Sequence, residues 1–315
     1  MALYVLRRLG FLLVTVLITS IIIFAVTQAL PGDVARILLG REAGEAALEE
    51  LREELGLNEP LPVQYVDWLT DFAQGDWGRS FSTQQPVFPL VKQRLRNSLI
   101  LTAFTLIISV PLAIGLGVLA GLKEDSWLDN VISIGSLAVV GLPEFVTGLV
   151  LIQVFAFGLD LLPASSIISP DDTLVEMLPA LVLPALTATL VLLAYLVRLT
   201  RAGVVEEMKQ PYVRTAEVKG LPYPTVVVKH VLRNALLPTI TVIAISVGWL
   251  ISGLVVVENV FNYPGLGRLL VFAIDRRDLP VIQAVSMLTV VTYAGSNLVA
   301  DLLYAVLNPR IRLGE

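Results

Sequence analysis

Along the 315-residue chain, polar stretches alternate with apolar runs near the ~20-residue length that carries a helix across a bilayer. Six such runs are read, at about Leu9–Leu30, Ser98–Leu122, Leu128–Gly158, Leu178–Leu199, Leu237–Val257 and Val281–Leu307. In hydrocarbon every backbone N–H and C=O must be paired within its own segment, so each run is predicted as a helix. The third run exceeds one crossing, so it either tilts or starts as an interfacial helix. The first follows Arg7 and Arg8 and has the outline of a signal peptide. Its apolar stretch is longer than the ~7–15 residues of such signals, and Pro31-Gly32-Asp33 makes a poor cleavage site. It is read as a span.

The polar stretches are unequal. Residues 33–97 are too long for a simple loop. Glu45 to Leu55 reads as a short amphipathic helix, with Leu48, Leu51 and Leu55 on one face and Gly56 as its stop. Pro60 and Pro62 break the chain, and Gln64 to Phe72 reads as a second helix carrying Tyr65, Trp68 and Phe72. Aromatic residues of that kind favour the headgroup zone. The segment is either a cap on the membrane surface or a docking surface for a soluble partner. The chain therefore divides into 1–97, a first span plus this helical segment, and 98–315, a five-helix core.

The second long polar stretch, about 200–236, lies between the fourth and fifth spans. Gln210 to Gly220 reads as a helix of two to three turns, with Pro211 in its first turn and Gly220 as its stop. Pro222 and Pro224 force a turn, and a further helix from about Thr225 to Asn234 leads into the fifth span. Thr215 and Ala216 are small enough to seat in a groove of another protein. The alternative is an ordinary amphipathic connector on the membrane surface.

Composition agrees with a membrane protein. Hydrophobic residues make up 56% and charged residues 16%, against about 25% charged in soluble domains. There is no cysteine and a single histidine, His230. Disulfides, thiolate metal sites and histidine-based zinc or haem sites are thereby excluded. The net charge of −5 does not suggest nucleic acid as a partner. With both termini inside, the outer segments carry 10 basic and 18 acidic residues. The much shorter inner segments, counted with Arg198, carry 12 basic residues, which favours that orientation.

Few polar residues lie at membrane depth. Glu144, after Pro143, falls inside the third run, where an ionised group costs about 2.5–3.5 kcal/mol and usually faces a cavity or partner. It contacts substrate or sits in an outer polar pocket. Asn297 and Asp301 share a helix face four residues apart. They read as a structural polar pair reaching an arginine of the fourth span such as Arg198, with proton relay as the alternative. Pro264-Gly265-Leu266-Gly267 is a turn by its chemistry, either lining the outer pore mouth or serving only as a turn. Gly117 and Gly121 have the spacing that lets helices approach closely. No Gly-Lys dipeptide occurs, so there is no Walker A phosphate loop.

The stretch Tyr212-Val213-Arg214-Thr215-Ala216-Glu217-Val218-Lys219-Gly220-Leu221, followed by His230-Val231-Leu232-Arg233-Asn234-Ala235-Leu236-Leu237-Pro238, resembles the coupling loop of ABC importer permeases. It is most similar to the first permease of the dipeptide, oligopeptide and nickel group. Arg214, Thr215 and Ala216 stand at the Glu-Ala-Ala positions of the general motif and Gly220 at its glycine. Arg214 matches that group's own variant. Ala29-Leu30-Pro31-Gly32-Asp33, Leu51 to Leu57, Gly75 to Ser80, Asn259 to Gly267, Asp301 to Tyr304 and Asn308 to Arg312 resemble the group in order and spacing.

The resemblance implies an all-α integral membrane protein of six transmembrane helices. The fold would be that of a type I ABC importer permease, with an extracytoplasmic helical segment after the first span. It implies a coupling role for Tyr212, Arg214, Thr215, Ala216, Lys219, Gly220 and Leu221, and a translocation path near Pro143, Glu144, Pro264 and Gly265. The implied partners are a second homologous permease, two ABC ATPase subunits, an extracytoplasmic solute-binding protein and the lipid bilayer of a prokaryotic cytoplasmic membrane. ATP and Mg would be bound by the ATPases, and this chain would be no enzyme and bind no cofactor. Peptides, nickel chelates and glutathione-type compounds are the implied cargo. A self-contained secondary transporter would show more intramembrane charges and an inverted repeat. An intramembrane hydrolase would need a nucleophile and base at membrane depth.

Overall fold

The computed structural model describes residues 2–29, 34–40, 42–54, 56–169 and 171–307. These are helical throughout, apart from turns and one isolated antiparallel bridge from Arg79 to Pro86. The motif pieces Pro31-Gly32-Asp33, Leu55 and Asn308 to Arg312 lie outside the described residues.

Among the described residues, four helices are long and apolar enough to cross a membrane: α1 (Ala2–Ala29), α5 (Val87–Leu122), α8 (Leu174–Met208) and α15 (Leu279–Leu307). Two bent pairs pass the same test jointly, giving up to six spans. At 1.5 Å per residue, the 36 residues of α5 reach well beyond a ~30 Å hydrocarbon core. Its polar start, with Lys92, Arg94 and Arg96, therefore lies beyond the apolar length, so the helix begins earlier than the apolar run implies.

The third apolar run is not one tilted helix and fits its other expectation, a separate helix at its start. α6 (Trp127–Val140) and the following α7 (Glu144–Leu151), which continues as a π-turn over Ile152–Gly158, meet at 104°. Pro143 has no N–H to give and disfavours helical backbone at the residue before it, so the helix ends at Gly141-Leu142 and restarts. Pro111, Pro179 and Pro184 lie inside helices without ending them. The fifth span is also bent. The segment Tyr223–Ala235 meets α12 (Leu237–Gly253) at 50°, and the short α13 (Val255–Val260) follows as a separate turn. α8 starts on a capping box: Glu176 N–H donates to Thr173 Oγ1 at 3.4 Å, and Thr173 N–H to Glu176 Oε2 at 2.8 Å.

The core is the α5–α8 pair, with α12, α13 and the α7 segment around it. The small-residue spacing on α5 makes this approach. A Cβ added at Gly117 would lie 2.6 Å from Thr200 Cβ, and one at Gly121 would lie 2.7 Å from Val204 Cβ. α1 runs at the edge against α15. It is held there by an Arg8–Asp301 ion pair at 2.9 Å and by Gln283 Nε2 donating to Thr27 Oγ1 at 2.8 Å. Asp301 thus pairs with the first helix rather than with Arg198, because α1 and not α8 is its neighbour.

The segment between α1 and α5 forms α2 (Val34–Leu39), α3 (Glu45–Glu54) and α4 (Leu61–Gln74). Pro62 sits in the first turn of α4, where a missing N–H costs nothing, so it starts that helix. The aromatic stripe does not face outward. Tyr65 and Trp68 pack on Phe24 of α1 at 5.5 and 5.7 Å, and the Tyr65 hydroxyl lies 2.8 Å from Ser20 Oγ. The loop after α4 is tied to the junction of α14 (Leu266–Arg276) and α15 by buried Asp278. Its carboxylate accepts from Ser80 Oγ at 2.5 Å, Ser82 Oγ at 2.6 Å and the Phe81 N–H at 3.0 Å.

Candidate coupling surface

The stretch after α8 folds as the sequence implies. α9 (Pro211–Val218) starts on Pro211 and ends where Gly220 takes φ +74°, a left-handed backbone that favours glycine. The Leu221 N–H then closes on the Ala216 carbonyl at 3.3 Å. After a turn come α10 (Tyr223–Thr225), a π-turn over Val226–Val231 and α11 (Leu232–Ala235).

The two faces of α9 differ. Val213 and Ala216 are buried among Val204, Val226, Val231 and Ala235. Tyr212 also turns inward: its hydroxyl donates to the Glu207 carboxylate and accepts from Asn234 Nδ2 at 3.3 Å. Burial and that carboxylate push the phenol pKa up, so it stays a neutral donor. Arg214, Thr215, Glu217, Val218, Lys219 and Gly220 point out. Val218 is 82% exposed, and Leu221, Tyr223 and Val228 are exposed beside it. Ala216 is 7% exposed, so it seats α9 on its own chain and does not face a foreign groove. What remains exposed along this stretch is apolar side chains together with Arg214, Lys219, Lys229 and Arg233, and exposed apolar surface of this kind marks protein contacts.

A brace of charges holds this end of α8. Arg201 Nε and Nη2 donate to the two oxygens of Asp129 at 2.5 and 2.6 Å, and the Asp125 N–H adds a bond at 3.0 Å. Lys209 pairs with Glu124 at 2.9 Å. A bidentate pair fixes orientation as well as distance, so α9 stands on a rigid base. Neither Asp129 nor Arg201 is marked by the coupling motif. The available signal was a lone carboxylate at the first turn of an apolar run.

The outer candidates do not come together as one lining. Pro143 is exposed and Glu144 half-buried at the start of α7. Glu144 has no hydrogen bond or ion pair among the described residues. Gly265 is buried, and a Cβ there would lie 2.0 Å from Glu258 Oε1, so this turn packs inward and does not line an open surface. Pro264 is pinned as well, its carbonyl accepting from Asn97 Nδ2 at 2.8 Å. Glu258, which sequence reasoning missed, holds the turn. Ser98 Oγ donates to it at 2.6 Å and the Arg268 N–H at 3.1 Å, while the Leu266 N–H donates to Ser98 Oγ at 2.8 Å. Together Glu258 and Ser98 cap α14, taking N–H groups that a helix start leaves unpaired. Burial pushes the Glu258 pKa up to about 7. Asn297 is half-buried, and Asp301 meets Arg8 as described.

Comparison with known proteins identifies the family. Residues 113–313 match the family described as binding-protein-dependent transport system inner membrane component, and residues 1–102 match the N-terminal domain of such components. The chain is 39% identical over 312 residues to a probable peptide ABC transporter permease protein of Sinorhizobium fredii, covering 99% of this chain and 100% of the relative. It is 40% identical over 311 residues to a glutathione transport system permease protein of Pectobacterium atrosepticum, covering 98% of each. The corresponding glutathione permease protein of Escherichia coli strain K12 is 38% identical over 309 residues, again covering 98% of each.

Proposed function

Because the chain belongs to the binding-protein-dependent transport system inner membrane component family, as a pore-forming permease of an ABC importer, we propose that it is one half of a pore completed by a second, homologous permease. As such a component it is a multi-pass inner-membrane protein that works with ATPases and a binding protein, and ATP hydrolysis resides in those ATPases. We assign both termini to the cytoplasm, which puts α9 on the side where ATP is hydrolysed. Two ATPase subunits bind ATP and Mg, and each receives the coupling helix of one permease. Residues 1–97 form the edge helix and outer segment, and residues 98–315 the transporting core.

The supporting observation is the division of α9 into a buried face, Val213 and Ala216, and an exposed one, Arg214, Val218, Lys219 and Leu221. A helix packed on its own chain by one face and carrying an exposed apolar side chain on the other moves with whatever grips it. ATP-driven closure of the ATPases would pull α9, and through the Asp129–Arg201 brace the inner end of α8, turning the pore outward until hydrolysis resets it. Di- or oligopeptides are the cargo best supported, since a relative of equal coverage is named for peptides. Glutathione, itself a peptide, is the second reading, because other relatives are named for it.

The test is Val218→Asp in the purified, reconstituted transporter. ATP hydrolysis should persist while ATP-dependent uptake of labelled dipeptide falls at least tenfold. Undiminished uptake in a fully assembled complex would refute the assignment of this surface. Ala216→Arg is not an equivalent probe, because it would unseat α9 from its own chain.

A further inference from the structure

A cavity of about 540 Å³ opens on the outer side between α1, α4, the loop that follows α4, and the start of α15. The rings of Trp68, Phe72 and Trp77, the carboxylates of Asp67 and Asp71, and the amide of Gln283 line it. Its volume lies in the ~300–1,000 Å³ range of small-molecule sites.

The rings are held in place. Trp77 stacks on Phe72 at 4.8 Å with 4° between planes, and its Nε1–H donates to the Phe72 carbonyl at 3.0 Å. Trp68 is set between Phe24 at 5.7 Å and Phe72 at 6.1 Å. Trp77 also meets the Phe88 ring at 5.0 Å in a T-shaped contact; where these fixed rings border the cavity, their π-electrons attract cations. Asp67 and Asp71 lie one turn apart on the same face of α4, an arrangement in which like charges repel. Neither carboxylate has a hydrogen bond or ion pair among the described residues. Arg79, the cation in the wall, donates to the Gln84 carbonyl at 2.7 Å. Gln283 Nε2 donates to Thr27, and its amide oxygen accepts no hydrogen bond among the described residues.

Aromatic faces, an acceptor amide and two unpaired carboxylates in one cavity suit a single ligand chemistry. We propose that this cavity binds an organic ammonium group, R–NH₃⁺, between the Trp68 and Trp77 rings and the Asp67–Asp71 pair. Two sources carry that group at an outer membrane face: the free amino end of a small peptide and the headgroup of an ethanolamine lipid. The site requires neither ATP nor a partner subunit, so its failure would leave the permease reading untouched, and failure of the coupling test would leave this site untouched.

The experiment uses the full chain in lipid-free detergent with Trp127→Phe and Trp249→Phe, which leaves Trp68 and Trp77 as its only tryptophans. Fluorescence is titrated with alanyl-alanine amide, with its N-acetyl derivative, which lacks only the charge, and with glycerophosphoethanolamine. A saturable change is expected with at least one of the two amines. For the peptide, acetylation should weaken binding at least tenfold. Saturation by the peptide amide alone marks a peptide site, and saturation by glycerophosphoethanolamine alone marks a lipid-headgroup site. Asp67→Asn with Asp71→Asn, near-isosteric and on an exposed helix face, should abolish the response without loss of helical circular dichroism. No saturable response to either amine, an equal response to the acetylated peptide, or an unchanged response in the double variant would each overturn the proposal.

Discussion

Replacing Gly117 by alanine tests the packing of α5 on α8 directly. The added Cβ would lie 2.6 Å from Thr200 Cβ, 2.8 Å from the Val197 carbonyl oxygen and 2.9 Å from Thr200 Cγ2. Carbon atoms prefer roughly 3.5–4.0 Å, so the helices must separate by about 1 Å. Two of the three obstacles belong to Thr200, whose hydroxyl lies 3.2 Å from that of Thr239 on α12, so displacement carries into a third helix. Overpacking of this kind costs about 1–3 kcal/mol. For a chain of this length about 1 kcal/mol lowers the melting temperature by about 2 °C, so a drop of about 2–6 °C is expected. Gly121→Ala should act similarly, its Cβ meeting Val204 Cβ at 2.7 Å. The double variant should lose less than the sum, because one separation relieves both clashes. Gly115 provides the contrast: it lies on the same helix with nothing within 4 Å of an added Cβ. Alanine there should be neutral or stabilising, since glycine in a helix costs up to about 1 kcal/mol relative to alanine. Thermal unfolding of the purified chain in detergent, read by size-exclusion, measures all four variants. If Gly117→Ala melts with Gly115→Ala, the close approach of α5 and α8 is refuted.

Two further outcomes follow from the charged contacts. Asp129→Asn removes one partner of a pair in which Asp129 is 2% exposed and Arg201 29%. Breaking a fully buried pair costs ~3–5 kcal/mol. Because Arg201 reaches water, a loss near the lower end of that range is expected, seen as a lower melting temperature and easier proteolysis after Arg201. At Glu258, on α13 beyond the C-terminal end of α12, the folded pKa of about 7 lies above the ordinary carboxylate value. The stability this contributes is therefore fully present below about pH 4.5 and lost as pH rises through about 7, a change on the order of 3 kcal/mol. Melting temperature should fall between pH 5 and pH 8, and Glu258→Gln should flatten that slope. An equally steep slope in the variant would show that another group carries it.

Much of the architecture was legible in the chain. Apolar runs of bilayer length locate the long helices because hydrocarbon leaves the backbone no partner but itself. Pro211 and Gly220 bound α9 because the first needs no N–H and the second tolerates positive φ. The Gly117 and Gly121 spacing allowed a close approach, since small side chains on one helical face let two backbones meet; the structure shows that α8 makes it.

Only the tertiary structure decided the rest. Pro143 ends a helix while Pro111 and Pro184 do not, so proline alone does not set where a helix ends. Ala216 turned inward and Val218 outward, since burial follows contact with Val226 and Val231 from a later turn. Asp301 found Arg8 across more than 290 residues of chain, and Glu258 found Ser98 and the start of α14. Helical periodicity says which side chains share a face. It does not say which distant element will cover that face, and for isolated charges that distant partner sets both the energy and the role.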